Sequence, residues 1–106
     1  MKLITAIINK KDSTEVGEAL TNAGFSYTRM ATVGGFLTAG NMTLMIGIDD
    51  EKVENVLEII RNHCSTRTEL VPTAVQSTSA TFVQPTKVAV GGAIVFVTPV
   101  EYFEKM

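Results

Sequence analysis

Between Phe25 and Ile48 the chain gathers the side chains and backbone best suited to holding a small polar ligand. Thr28 and Thr32 supply hydroxyls. Phe36 offers an aromatic face, Leu37 an apolar neighbour, and Asn41 a group that both donates and accepts hydrogen bonds. Gly34, Gly35 and Gly40 space these residues within a connection, Val33–Asn41, whose amides are able to approach a ligand closely. Two large apolar residues in the middle of a glycine-rich connection need a surface to pack on, whether their own chain, a neighbouring subunit or a ligand. An aromatic face, an amide suited to the edge of a purine and unshielded backbone N–H groups together point to ligand binding. Taken alone, Asn41 reads better as a turn residue entering the next strand, and Gly34 or Gly40 as shaping a hairpin; it is the combination that points to a ligand.

The chain is poor in other chemistry. His63 and Cys64 are its only histidine and cysteine, and as helical neighbours they point in different directions. Cys64 falls on an apolar stripe and reads as a core thiol. Asp49, Asp50 and Glu51 stand at a helix start, where acids complement the dipole; no second cluster of ligands makes them a metal site. The glycines match neither the phosphate loop ending in Gly-Lys-Ser/Thr nor the dinucleotide fingerprint. We therefore expect no catalytic residues, no metal and no cofactor.

The elements that must position these groups follow from periodicity. Leu3–Ile8 is nearly continuous apolar sequence, as in a strand buried on both faces. Lys10-Lys11 then makes a wet turn. Asp12 and Glu15 have capping-box spacing ahead of a helix over Ser13–Ala23, with Val16, Ala19, Leu20 and Ala23 on one face and Gly24 as a left-handed stop. Phe25–Thr32 and Met42–Ile48 flank the glycine connection as strands. A second helix begins at Asp49 and buries Val53, Val56, Leu57, Ile60 and Cys64. Arg67–Val71 reads as a short strand ended by Pro72. Val71–Thr86, without a charge, is a long functional loop in which Phe82 serves as a lid or packs on its own subunit. Lys87–Val100 is the last strand, interrupted at Gly91-Gly92 by a bulge or a close approach, and Glu101–Met106 is an amphipathic tail.

At 106 residues, 45% apolar and 19% charged, this is one domain with one core. A net charge of −2 argues against a nucleic-acid surface, while backbone nests still accommodate a small anion. A lone cysteine fits a reducing compartment, and no segment is long enough to span a membrane, so a cytoplasmic location is expected. The order strand, helix, strand, strand, helix, strand predicts an α+β, ferredoxin-like βαββαβ sandwich with a long loop before the last strand. Both helices cover one face of the sheet. The other face, apolar in its turn, calls for burial in an oligomer.

Ala31-Thr32-Val33-Gly34-Gly35-Phe36-Leu37-Thr38-Ala39-Gly40-Asn41, with Gly47 beyond it, resembles the signature of the PII-like cyclic-di-AMP receptors. Gly91-Gly92-Ala93-Ile94-Val95-Phe96-Val97-Thr98-Pro99-Val100 resembles that family's closing strand, and the likeness covers nearly the whole chain. The resemblance implies a homotrimer that binds cyclic-di-AMP at subunit interfaces without catalysis and signals by loop rearrangement to a protein partner. It implies a pocket built from Thr28, Gly35, Phe36, Leu37, Asn41 and Gly47, with Gly91 and Gly92 lining it from another segment. Ser26 stands where the family commonly has an arginine, and Thr38 where a basic residue often follows Phe-Leu. The long loop also lacks the family's usual Gly-Gly and Asp-Ser-Tyr stretch. A charge-assisted hydrogen bond missing for such a reason costs roughly 1.5–3 kcal/mol of binding. A PII-like trimer sensing another adenine nucleotide, or acting through protein partners alone, is the competing reading.

Overall fold

The computed structural model describes residues 1–34, 40–64, 67–72 and 85–106. Its main sheet holds four antiparallel strands in the order β2-β3-β1-β6, where β1 is Lys2–Asn9, β2 Thr28–Thr32, β3 Asn41–Ile48 and β6 Ala93–Pro99. Helices α1 (Ser13–Asn22) and α2 (Val53–His63) complete the expected βαββαβ plan. Two further strands, β4 (Arg67–Pro72) and β5 (Pro85–Val90), pair with each other in a second, two-stranded sheet.

Alternation along β1 and β3 builds the core. Ile4, Ala6, Ile8, Leu44, Ile46 and Ile48 point to the helix side and are buried. Val16 and Leu20 of α1 and Val56 and Ile60 of α2 meet them, with Cys64 closing the cluster as a core thiol. Burying each large aliphatic side chain contributes about 1.5–3 kcal/mol, so this single face carries most of the stability. The expectation that β1 is buried on both faces holds only in part: Leu3, Thr5 and Ile7, on the side away from the helices, are half-buried.

Element ends show local chemistry overriding pattern. The capping box at Asp12 does not form, because residues 10–12 wind into a 3-10 turn and Asp12 makes no side-chain cap bond. Asn9 takes that role, its Oδ1 accepting from the Lys11 amide at 2.8 Å, while the Ser13 hydroxyl donates to the Lys10 carbonyl at 2.8 Å. Helix α1 ends one residue early, so Ala23 is exposed rather than buried. Gly24 then takes the expected left-handed stop with φ 86°. Likewise Asp50–Lys52 forms a 3-10 turn before α2 starts at Val53.

The largest correction concerns the end of the chain. Lys87–Val100 is not one strand: Gly91 and Gly92 adopt φ 84° and 83° and carry the backbone from β5 into β6, from one sheet to the other. An L side chain in that conformation costs about 1–2 kcal/mol per residue, which is the physical reason for paired glycines here. The expected loop is also shorter at both ends, since Val71 pairs with Thr86 and Pro72 with Pro85. Val75 and Phe82, and with Phe82 the lid expectation, lie outside the described residues.

Candidate functional site

The register places three of the expected binding residues on one surface. On the sheet face away from the helices, Thr28 stands opposite Met45, which stands opposite Thr5 and, beyond it, Phe96. The next row is Met30, Thr43, Ile7 and Ile94. Thr32, Asn41 and Asn9 form the row at one end; Gly47, Leu3 and Thr98 form the row at the other. Thr28, Asn41 and Gly47 therefore share the open face, and none of the side chains in these rows is charged. Met30 is 40% and Phe96 45% exposed, so the face has the mixed apolar and hydroxyl character of a contact surface.

The two ends differ. At the Asn41 end the polar side chains are enclosed: Asn9, Asn41 and Thr43 are buried, and the Thr32 and Thr43 hydroxyls share a hydrogen bond of 2.9 Å. The Lys10 amide donates to the Gly40 carbonyl at 2.9 Å, fixing the point where the glycine connection returns to the sheet. Ala93 faces Ile8, one residue from Asn9, so Gly91 and Gly92 reach this same end. Asn41 and the glycine pair are two strand spacings apart, about 10 Å.

At the opposite end Gly47 is exposed, with nothing within 4 Å of where a Cβ would lie. It borders a cavity of about 290 Å³ shared with Ser26, Asp49, Lys52 and Met1. There the N-terminal ammonium meets the Asp50 carboxylate at 2.9 Å, and the hydrogen bond it donates is the main cause holding that carboxyl below its usual range. Gly47 is six positions beyond Asn41 along β3, about 20 Å of strand. Thr28 lies between the two ends.

Gly35, Phe36 and Leu37 of the expected pocket fall outside the described residues. Arg29 lies on the helix side of the sheet, as a regular strand requires, beside Tyr27 and Gly17. His63 Nδ1 is 4.0 Å from Glu15 Oε2, and Cys64 is buried in the core. Among the described residues no group of three acids, histidines or cysteines is placed to hold a metal. No described helix is long and apolar enough to cross a membrane.

Two features escaped the sequence. Asn9, just past the apolar run Leu3–Ile8, is the buried partner of Asn41; an asparagine directly before a Lys-Lys turn is the available signal. Tyr27 packs on Gly17 of α1 so closely that a Cβ there would collide with its hydroxyl. That contact ties the start of β2 to the helix layer.

Comparison with known proteins follows the same outline. A family model described as cyclic-di-AMP receptor matches residues 1–106. The chain is also similar to a functionally unknown protein from Pediococcus pentosaceus ATCC 25745, known from its crystal structure. The two share 40% sequence identity over 99% of this chain and 96% of that one, with a TM-score of 0.79.

Proposed function

The chain belongs to the cyclic-di-AMP receptor family, and on that premise we propose that it is a non-enzymatic, PII-like homotrimer that binds cyclic-di-AMP at its subunit interfaces. Membership of that family makes it a nucleotide-binding signalling protein; the site and the assembly are our reading. One observation supports it most: Thr28, Asn41 and Gly47 share the sheet face that the helices leave open. Leu3, Ile7, Met30, Met45 and Phe96 give that face enough apolar surface to favour burial against a second copy.

The dimensions favour a site shared between chains. Gly47 lies about 20 Å along β3 from the end where Gly91 and Gly92 enter the sheet. A ligand seated at the Gly47 end reaches a glycine pair most readily when a neighbouring chain brings its own pair there. That neighbour's Asn41, at the same end as its glycine pair, then reads a polar edge, while Phe36 and Leu37 bracket an adenine and Gly35 offers its backbone. The buried Cys64 suits a reducing, cytoplasmic setting, and the messenger is a signal rather than a cofactor.

Light scattering coupled to gel filtration, followed by calorimetric titration with cyclic-di-AMP, cyclic-di-GMP and ATP, tests this. A particle of three times the 11.4 kDa chain that takes up cyclic-di-AMP in preference is expected. A monomer, or a trimer that ignores the dinucleotide, would overturn the proposal. The latter result would turn attention to another adenine nucleotide or to a protein partner alone.

A further inference from the structure

A cyclic dinucleotide carries two phosphodiester charges, yet the open face that we assign to it has no charged side chain in any of its rows. Burying an anion is costly unless it is paired and hydrogen-bonded, and a cation at the margin of the face adds to what backbone amides supply. Arg29 is on the wrong side of the sheet. Lys10 lies at the Asn41 end, where its aliphatic stem covers Gly40, with carbons 3.8 and 3.9 Å from the position of a Gly40 Cβ. Lys52 is placed differently. It sits on the 3-10 turn ahead of α2 and lines a cavity at the edge of the sheet, between its two faces, that Gly47 and Ser26 border together with the helix-side residues Phe25, Ile46 and Ile48.

This cavity has the makings of a nucleotide subsite. Its volume of about 290 Å³ is near the lower end of the roughly 300–1,000 Å³ usual for ligand pockets, suiting one part of a larger molecule. The Met1 ammonium at its edge is already neutralised by Asp50. Lys52 makes no ion pair among the described residues, and its side chain is exposed. Asp49, on the same turn, adds a carboxylate able to accept from ribose hydroxyls. A cation, an acceptor, a hydroxyl at Ser26 and a bare backbone at Gly47 together suit a phosphate, a sugar and a base edge.

We propose that Lys52 supplies the phosphate-neutralising charge of the nucleotide site, at its Gly47 end, with Ser26 as the adjoining hydrogen-bond donor. This rests on the reading that cyclic-di-AMP is the ligand. The test is calorimetric titration of the full chain with cyclic-di-AMP at two salt concentrations, for wild type, Lys52→Gln, Lys52→Arg and Arg29→Gln. Removing a charge-assisted hydrogen bond predicts about ten- to hundredfold weaker binding for Lys52→Gln, with a shallower salt dependence. Lys52→Arg should stay within a few fold of wild type. Arg29→Gln makes the same change in net charge on the opposite face and should stay near wild type. Because Lys52 is exposed, an unchanged thermal midpoint should confirm that Lys52→Gln is folded.

Equal weakening by Lys52→Gln and Arg29→Gln would reduce the effect to overall charge and overturn the assignment. Wild-type affinity in Lys52→Gln would do the same while leaving the cyclic-di-AMP reading intact. A wild type that does not bind cyclic-di-AMP would remove that reading and this assignment together.

Discussion

The same strands serve two ends on their two faces. Toward the helices, β1 and β3 present Ile4, Ala6, Ile8, Leu44 and Ile46, each at most 1% exposed. Away from them, the same strands present Leu3, Thr5, Asn41, Met45 and Gly47, interleaved residue by residue with the first set. Period-two alternation keeps the sets apart, so a change on one face leaves the other nearly untouched. Stability is concentrated where the side chains are large and dry. Recognition is assigned to the face that mixes threonine, asparagine and glycine with a few exposed apolar groups.

The sharpest way to break this division is to carve the dry face. Leu44→Ala should cost about 2–5 kcal/mol of folding stability in urea denaturation, because the helices and neighbouring strands cannot close the cavity fully. Dinucleotide affinity of the fraction that remains folded should be nearly unchanged. A large loss of affinity at full stability would mean that the faces are not independent.

Substitutions on the recognition side should show the converse. Phe36→Ala removes a base-stacking surface and should weaken binding by about 1–3 kcal/mol with little change in unfolding. Asn41→Ala sharpens the comparison, because Asn41 is buried as well as assigned to the ligand. It should lower affinity and also cost about 1–3 kcal/mol of stability as its neighbours lose a polar partner. Calorimetry and urea denaturation on the two variants separate these patterns. An Asn41→Ala protein of full stability would place that side chain outside the sheet's own polar network.

The smallest effect is expected at the edge of the Gly47 end. The Met1 ammonium keeps the Asp50 carboxyl below its ordinary pKa, so the folded state gains from this contact above pH 3.8 and loses it progressively as the pH falls below that value. Both groups are solvent-exposed, which makes the gain slight. Asp50→Asn should accordingly lower the thermal midpoint a little at neutral pH and match wild type in strong acid. A deficit that persisted unchanged in acid would assign the effect to something other than this ion pair.

Much of this division was legible in the residues themselves. The apolar run at Leu3–Ile8, the stripe of Val56, Ile60 and Cys64, and Gly24 after the first helix prescribe the covered face and its connections. Family-like strings around Asn41 and Gly91-Gly92 pointed to the other face. Two things were not legible. Periodicity cannot say that a strand pattern running through Gly91-Gly92 belongs to two different sheets, because the residues on both sides favour extended backbone; only the partners of each half decide it. Nor can it show that Asn9 and Asn41 face each other, since that register joins residues 32 positions apart. The shared cavity of Lys52 and Gly47 arises the same way, from the meeting of a turn and a strand end.

The central claim is that cyclic-di-AMP occupies the open face, and amide-resolved NMR titration of the full chain tests it most directly. Wild type and Gly47→Val should be compared. Valine at position 47 meets open space in the single chain and suits a strand, so the variant should fold with an unchanged thermal midpoint. In wild type, cyclic-di-AMP should shift the amides of Thr28, Asn41, Gly47 and Gly92 and leave those of Ser13–Asn22 in place. Gly47→Val should lose those shifts at the same ligand concentration. Shifts concentrated in α1 and α2, or a Gly47→Val titration indistinguishable from wild type, would contradict the account.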